Sequence, residues 1–599
     1  LNPPAISDAS LPADPHRSDR DALAEAGYRS FRAKREDRTA LIDPPIQDAE
    51  LWMKHNLVGK NGDAAGKADS RHRTPHFWTR LSDTARRQLL DDAVRYTSAY
   101  RDVPAMERSA LRPIVMAGHQ PTLFHPGVWF KNYALDQIGA DTGAHAINLV
   151  IDNDVASSRS IRVPTRDSLG RVRATTVSYD VGGIGMPFEQ AKIRDPRQFN
   201  AFESEVKRAI SPIVSDPLIS SLWPHAREAI RRCEIAGCAL AQARHALEGE
   251  IGWNTLEVPL GVAVRGLPFA RFVMEIVDQF ERFHQTYNAS ADHYRAWHGI
   301  RSTAHPVPNL AKDEQWWELP LWVYGNDSPL RRGVWVRRMG NRLQISDRSP
   351  DQEMVVEVPA GDPDAAAEIL ADAASPELKL RPRALVTTMF ARLVLSDLFL
   401  HGIGGGKYDQ LADRIIEQFF GVVPPAFQVV SATVRLPGQE FDEDRSQIIS
   451  DLQRQIRDTR YRGEAFFETG HGAMGHGAMG HGAMEGGAME GGAMEGGAIN
   501  RLIAAKISLL NELSERAATE DPQAKDWAGK AQWQRRIEDV NGQISEILEP
   551  KRAKLRAEME KLRQKDSEEA VLASREWSFC LFSLQDLIPS FRRMLQRNG

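Results

Sequence analysis

The sequence predicts an α/β protein: a Rossmann-like parallel core with insertions, an N-terminal helical region, and a C-terminal antiparallel α-helical coiled coil. Three observations predict it. Two short apolar runs, Pro113-Ile-Val-Met-Ala-Gly118 and Ile147-Asn-Leu-Val-Ile-Asp152, flank a helical stretch at 128–138. Strand, helix and strand in that order form the repeating unit of a parallel sheet. After Pro437 the apolar residues recur at heptad spacing between charged faces. At 599 residues the chain is also too long for one hydrophobic core.

Composition narrows the functional classes. With 42% hydrophobic and 26% charged residues, there is enough apolar surface to build a core, and wholesale disorder is excluded. The formal net charge of −5 comes from interspersed signs, whereas a nucleic-acid binder needs a basic stripe. Cys233, Cys238 and Cys580 provide neither a disulfide framework nor a zinc set, so a structural role in a reducing compartment is expected. The first residues lack a basic stretch followed by an apolar run, and no apolar run nears the roughly 18 residues of a membrane span. The expectation is a cytoplasmic protein with no membrane partner.

Along the chain, 1–20 reads as a proline-rich mobile lead. Region 21–110 is helical, with Leu89, Leu90, Ala93 and Val94 at helical spacing and loops at Asn61-Gly62-Asp63 and Asp102-Val103-Pro104. The core occupies 111–436. Within it, 171–179 and the pair 333–336 and 342–345, turning at Met339-Gly340-Asn341, are antiparallel insertions. The sheet resumes at 384–388 or in 427–436, and 390–400 is an apolar helix running into the glycine-rich 402–407. The arm is 437–574. Its seam consists of Ile449, Leu452 and Ile456, then Ile537, Val540, Ile544 and Ile547, then Leu555, Met559 and Leu562. Such an arm pairs two chains, so a homodimer is expected. Residues 470–499 are a pentad repeat of Gly, Ala, Met, His and Glu. Each interior glycine costs a helix roughly 1 kcal/mol, so the repeat is a flexible loop without a rigid frame for a metal at His471, His476 or His481. A closing helix, 575–599, returns to the core.

Three segments carry chemistry. Gly118, His119 and Gln120 end the first strand ahead of a helix, where backbone N–H groups favour an anion. There His119 suits a general base or a phosphate contact, and Gln120 orients substrate. The following His125-Pro-Gly127 partly matches the His-x-Gly-His signature of nucleotidylyl transferases, with Val128 in place of the second His. Asp152 and Asp154 end the second strand, on the same edge as His119, and suit an ammonium group. Gly404, Gly405, Gly406, Lys407, Tyr408 and Asp409 form the third segment. It is not a Walker A loop, because His401 and Tyr408 stand where Gly and Ser or Thr are required. Its glycines allow close backbone approach, and Arg381 and Arg383 upstream suit a carboxylate.

Together these segments resemble the bacillithiol cysteine-adding enzymes. Ala117-Gly-His-Gln-Pro-Thr-Leu-Phe is similar to that family's Thr-Gly-Gln-Gln-x-Gly-Leu-Phe motif, and Asp152-Asn-Asp154 to its Glu-Asp-His-Asp. Arg381-Pro, the Gly404-Gly-Gly406 turn, the stretch 409–420, Pro424-Pro425 to Thr433, and Arg575-Glu-Trp-Ser-Phe-Cys-Leu-Phe resemble its later segments in order. His119 replaces the family's first Gln, and Lys131 is displaced from its helix lysine, where Tyr133 falls. The resemblance implies a Rossmann-like core, a dimerising coiled coil, and a ligase that joins cysteine to a carboxylated sugar conjugate. In that reading His119, Asp152 and Asp154 are catalytic, while Gly118, Gln120, Arg381, Arg383 and residues 404–409 bind substrate. The cofactor is left open, with ATP a candidate co-substrate. A nucleotidyl transferase on the same core and a non-catalytic coiled-coil scaffold are the alternatives.

Overall fold

The computed structural model describes residues 28–61, 77–103, 112–155, 158–182, 185–302, 305–350, 353–437, 444–461, 501–512 and 530–597. The lead at 1–20, Gly62-Asp63, Pro104 and the repeat 470–499 lie outside the described residues. The chain divides into two compact units, Leu1–Pro437 with Ser574–Gly599, and Gly438–Ala573.

The first unit is a mixed α/β structure. Its strands in chain order are β1 (Thr39–Asp43), β2 (Ile114–His119), β3 (His145–Val150), β4 (Ser160–Arg166), β5 (Val172–Ser178) and β6 (Leu256–Pro259). They continue with β7 (Lys312–Asp313), β8 (Trp316–Tyr324), β9 (Arg332–Met339), β10 (Arg342–Ser346) and β11 (Val355–Pro359). The last three are β12 (Lys379–Pro382), β13 (Leu398–His401) and β14 (Phe427–Thr433). One sheet has the order β1-β14-β13-β2-β3-β6. Every pair in it is parallel except β1 with β14. Strands β2 and β3 are near-continuous apolar runs because both faces of the sheet are covered. On one face Ile114, Met116, Ile147, Leu149, Leu256 and Val258 join Leu89, Leu90 and Ala93 of helix Phe77–Ser98. Helix Pro126–Thr142 packs on β2, β3 and β14. It starts on Pro126, whose missing N–H costs nothing at a first turn, and stops at Gly143 with φ 67°.

The predicted strand–helix–strand unit is present, with β2 beside β3 in parallel register from Ile114 opposite His145 to His119 opposite Val150. The insertions also form, as hairpin β4–β5 and as the antiparallel order β11-β10-β9-β8-β12, with β7 beside β8. In that second sheet Val334, Val336, Leu343, Ile345 and Val358 point to the core while Arg337, Arg342 and Gln344 point away. Three expectations are corrected. Residues 384–388 belong to helix Ala384–Phe390, not a strand: β-branched Val386, Thr387 and Thr388 sit in a buried helix, where packing overrides propensity. Residues 390–400 are a helical turn to Leu395 followed by β13, so the sheet resumes at 398, one strand before β14. The N-terminal region is not wholly helical, since β1 closes the sheet edge.

The second unit contains helices Asp444–Tyr461, Lys530–Ile547 and Glu549–Ala573, with a further helical stretch at 501–512. Leu452, Leu509, Ile544 and Leu548 are buried. Ile449, Ile456, Ile537, Val540, Leu555, Met559 and Leu562 are half-buried. Ile547 was expected on the seam but is exposed, because the helix breaks at Leu548 ahead of Pro550 and turns Leu548 inward instead. Arg552 ties helix Glu549–Ala573 to helix Asp444–Tyr461, donating from Nη2 to the Thr459 carbonyl at 3.2 Å. Among the described residues no helix is long and apolar enough to cross a membrane.

Candidate functional site

In the parallel sheet the chain runs from β2 outward to β3 and β6, then returns to the other side of β2 for β13 and β14. The order thus reverses between β2 and β13, and the strand carboxyl ends at such a reversal are the preferred ligand position in parallel sheets. His119, the 151–154 turn, Gly261 and the start of helix Ile403–Ile415 all lie on this edge.

His119, Gln120 and Asp154 are hydrogen-bonded in series. His119 Nδ1 lies 3.0 Å from the Gln120 carbonyl, which only accepts, so Nδ1 carries the proton and Nε2 the lone pair. Burial, reinforced by the nearby Lys131 ammonium, lowers the His119 pKa to about 3. The ring is therefore neutral at physiological pH, and with its one proton given to the Gln120 carbonyl its Nε2 suits the expected base better than the expected phosphate donor. Gln120 Nε2 donates to Asp154 Oδ2 at 3.0 Å, and Arg331 Nη1 donates to Asp154 Oδ1 at 3.2 Å.

Asp152 lies in a deeper cluster. Its Oδ1 accepts from the Gly261 N–H at 2.9 Å. Beside it Arg381 grips Glu189 with two parallel bonds, Nε to Oε1 at 2.8 Å and Nη2 to Oε2 at 2.9 Å, and the Tyr324 hydroxyl also donates to Glu189. Gly261 faces this cluster: a Cβ there would stand 2.8 Å from Glu189 Oε2 and 3.3 Å from both Asp152 Oδ2 and Arg381 Nη2. Burial and then the Glu189 charge raise the Asp152 pKa to about 7. Burial opposes the Glu189 charge too, but Arg381 outweighs it and Glu189 titrates below its ordinary range. Two carboxylates thus share one guanidinium.

Two residues of this edge were not anticipated as functional. Glu189 sits in a short 3-10 turn of the insertion, held to Asp152 by its own N–H at 2.9 Å from the Asp152 carbonyl. No local pattern marks it. Lys131 is fully buried on helix Pro126–Thr142, with Nζ 2.6 Å from the Gly118 carbonyl. A single charge in the apolar stretch Val128-Trp-Phe-Lys-Asn-Tyr-Ala-Leu was a legible signal.

The remaining predicted site residues divide. Arg381 and Arg383 were expected to hold a substrate carboxylate, but the structure gives their guanidiniums to Glu189 and, at 2.6 Å, to Glu318. Arg383 also stacks on Trp322, 3.9 Å from the ring centre. Gly404, Gly405 and Gly406 are not a loop after a helix. They form the first turn of helix Ile403–Ile415, directly after β13, with Gly402 as its N-cap. Gly406 is buried where a Cβ would strike Val429, so it serves helix–sheet packing. Lys407 is exposed, and Tyr408 feels the Asp154 charge. Asp409 is corrected outright: it is fully buried, and both its oxygens are taken by Arg392, His401 and Thr388, which leaves none for a ligand. His125 Nδ1 caps the helix by accepting from the Gly127 N–H at 3.0 Å, which leaves only its Nε2 for a ligand. Cys233 and Cys238, expected unpaired, are joined in a disulfide across the turn between helices Ile219–Cys233 and Ala236–Glu250, and Cys580 is free and buried.

Among the described residues no group of three or more His, Cys, Asp or Glu side chains is placed to hold a metal ion. Compared with known families and curated proteins, the chain matches no family model and no curated protein.

Proposed function

We propose that the first unit is a Rossmann-like core of a carbon–nitrogen bond-forming ligase, joining an amino acid, by preference cysteine, to a carboxylated small molecule. One observation carries the reading: buried Asp152 and largely covered Glu189 lie side by side, and among the described residues Arg381 is the one guanidinium bonded to the pair. Burial makes uncompensated negative charge costly, so the cluster is completed by a cation from outside, and an α-ammonium group has the right charge and size. Amide formation then needs that ammonium to lose a proton. His119, with its Nε2 lone pair on the same edge, and Asp154, positioned by Gln120 and Arg331, are the groups that orient the amine and accept its proton. ATP is the proposed co-substrate that drives loss of water from amine and acid.

The test is incubation with cysteine, malate-bearing acceptors and ATP, with mass spectrometry for a product one water lighter than its reactants. His119→Ala and Asp154→Asn should abolish the product with melting temperatures within a few degrees of the parent, since both side chains are half-buried polar groups outside the apolar core. Absence of any condensed product from the parent protein overturns the reading.

The helices of the second unit are proposed as a coiled-coil arm that pairs two chains, on the strength of the narrow half-buried stripe through Leu452 and Ile544. Light scattering on a variant lacking 440–570 should give a monomer, and a surviving dimer would place the interface elsewhere.

A further inference from the structure

Burial normally forces a cation to find a carboxylate, because its hydration is lost. The first unit obeys this rule throughout its arginines: each buried one, from Arg86 against Asp397 to Arg392 against Asp409, touches a carboxylate. Lys131 breaks it. The side chain is 1% exposed, yet among the described residues its Nζ has a backbone carbonyl, Gly118 O, and no carboxylate. The charged and titratable groups around it are the neutral His119 on β2 and the Arg244 cation on helix Ala236–Glu250. The carboxylates of Arg244, Glu248 and Glu257, are already engaged by it. The amine is thus a buried donor at the carboxyl end of β2, with N–H positions left over.

We infer that Lys131 Nζ is the seat of the carboxylate of an acidic ligand, filling the place that Arg381 and Arg383 cannot take because Glu189 and Glu318 occupy them. The inference rests on the ligase reading for the ligand's identity, not for the site. A single ammonium balances one carboxylate, and a diacid such as malate can keep its second carboxylate in water, whereas a phosphate dianion carries both charges on one group and would leave one buried and uncompensated. Burial and then Arg244 lower the Lys131 pKa to about 7, so near neutrality much of the empty site holds a free amine. A carboxylate arriving at Nζ stabilises the ammonium, and binding takes a proton from solution: R–NH2 plus H+ plus carboxylate gives the ion pair.

The experiment is titration calorimetry of the full chain with L-malate at pH 8, in two buffers of different ionisation enthalpy. The difference between the two heats gives the protons taken up. An uptake approaching one proton per malate is expected, shrinking at pH 6, where the amine is already charged. Lys131→Gln should bind malate at least tenfold more weakly and without uptake. Because wild-type uptake is read independently, a variant that fails to fold does not decide the matter. Inorganic phosphate serves as the competing probe. Malate binding without uptake, no malate binding at millimolar concentration, or phosphate binding preferred over malate each overturns the seat. Malate-linked uptake with no condensed cysteine product retains it and sinks only the ligase.

Discussion

Asp152→Asn is expected to abolish condensation of cysteine while raising the melting temperature by a few degrees at pH 8. The two effects have one cause. In the folded protein burial and Glu189 raise the Asp152 pKa from 3.8 to about 7. Between those values the folded chain binds more protons than the unfolded one, so stability is greatest at acid pH and falls as pH rises through 7. At about 1.4 kcal/mol per pKa unit, the ionised carboxylate costs the empty fold on the order of 4 kcal/mol at pH 8. Asparagine removes the charge, and its side-chain oxygen still accepts from the Gly261 N–H, so part of that cost is recovered, about 1–3 kcal/mol. It also removes the negative charge that holds the ammonium. Thermal scans of both proteins at pH 5 and pH 8 provide the check: the variant's advantage should be largest at pH 8 and shrink at pH 5. A variant less stable at pH 8, or one that still forms product, would show that Asp152 is a structural carboxylate.

What the sequence made legible follows from how local each signal was. Strands β2 and β3 could be read because a strand buried on both faces must be an uninterrupted apolar run, and their shared edge follows from the parallel connection alone. That logic places His119 and Asp154 on one edge of the sheet, where Gln120 links them in the structure. It failed at 384–400, where short apolar runs suit a buried helix and a buried strand equally: Ala384–Phe390 and Leu398–His401 exchange the expected roles. Strand β1, Thr-Ala-Leu-Ile-Asp, is an edge strand too short and too mixed to declare itself. Long-range ion pairs leave no local trace at all. Arg381 and Glu189 lie 192 residues apart, so a free arginine on the expected carboxylate site became an internal pair only in three dimensions. Asp409 was misread for the same reason, as an acid near glycines rather than the partner of an arginine buried behind them.

That misreading separates two outcomes in the last substitution. Asp409→Ala is expected to cost about 3–5 kcal/mol of stability, the usual effect of removing one partner from a buried ion pair. Arg392 is 1% exposed, and its Nη1 donates to Asp409 Oδ2 at 2.7 Å. His401 Nε2 shares the same oxygen at 2.9 Å, and the Thr388 hydroxyl donates to the other. Alanine strands the His401 Nε2 donor, leaves the Thr388 hydroxyl with the Leu385 carbonyl, and leaves Arg392 with the Pro425 carbonyl and Asp413, whose side chain is one-third exposed. Burial opposes the Asp409 charge, but Arg392 and His401 more than offset it and draw its pKa down to about 2. The network's contribution is therefore present above the ordinary carboxylate range and lost as pH falls from about 4 towards 2. Urea unfolding at pH 7 measures the loss, and Asp409→Asn, which keeps the shape and part of the bonding, should fall between parent and alanine. Replacing both ends by apolar residues, Arg392→Met with Asp409→Leu, should recover part of the stability, because no fully buried charge is then left unpaired and Asp413, one-third exposed, keeps access to water. If Asp409→Asn instead kept full stability and lost malate or cysteine binding, Asp409 would belong to the site after all.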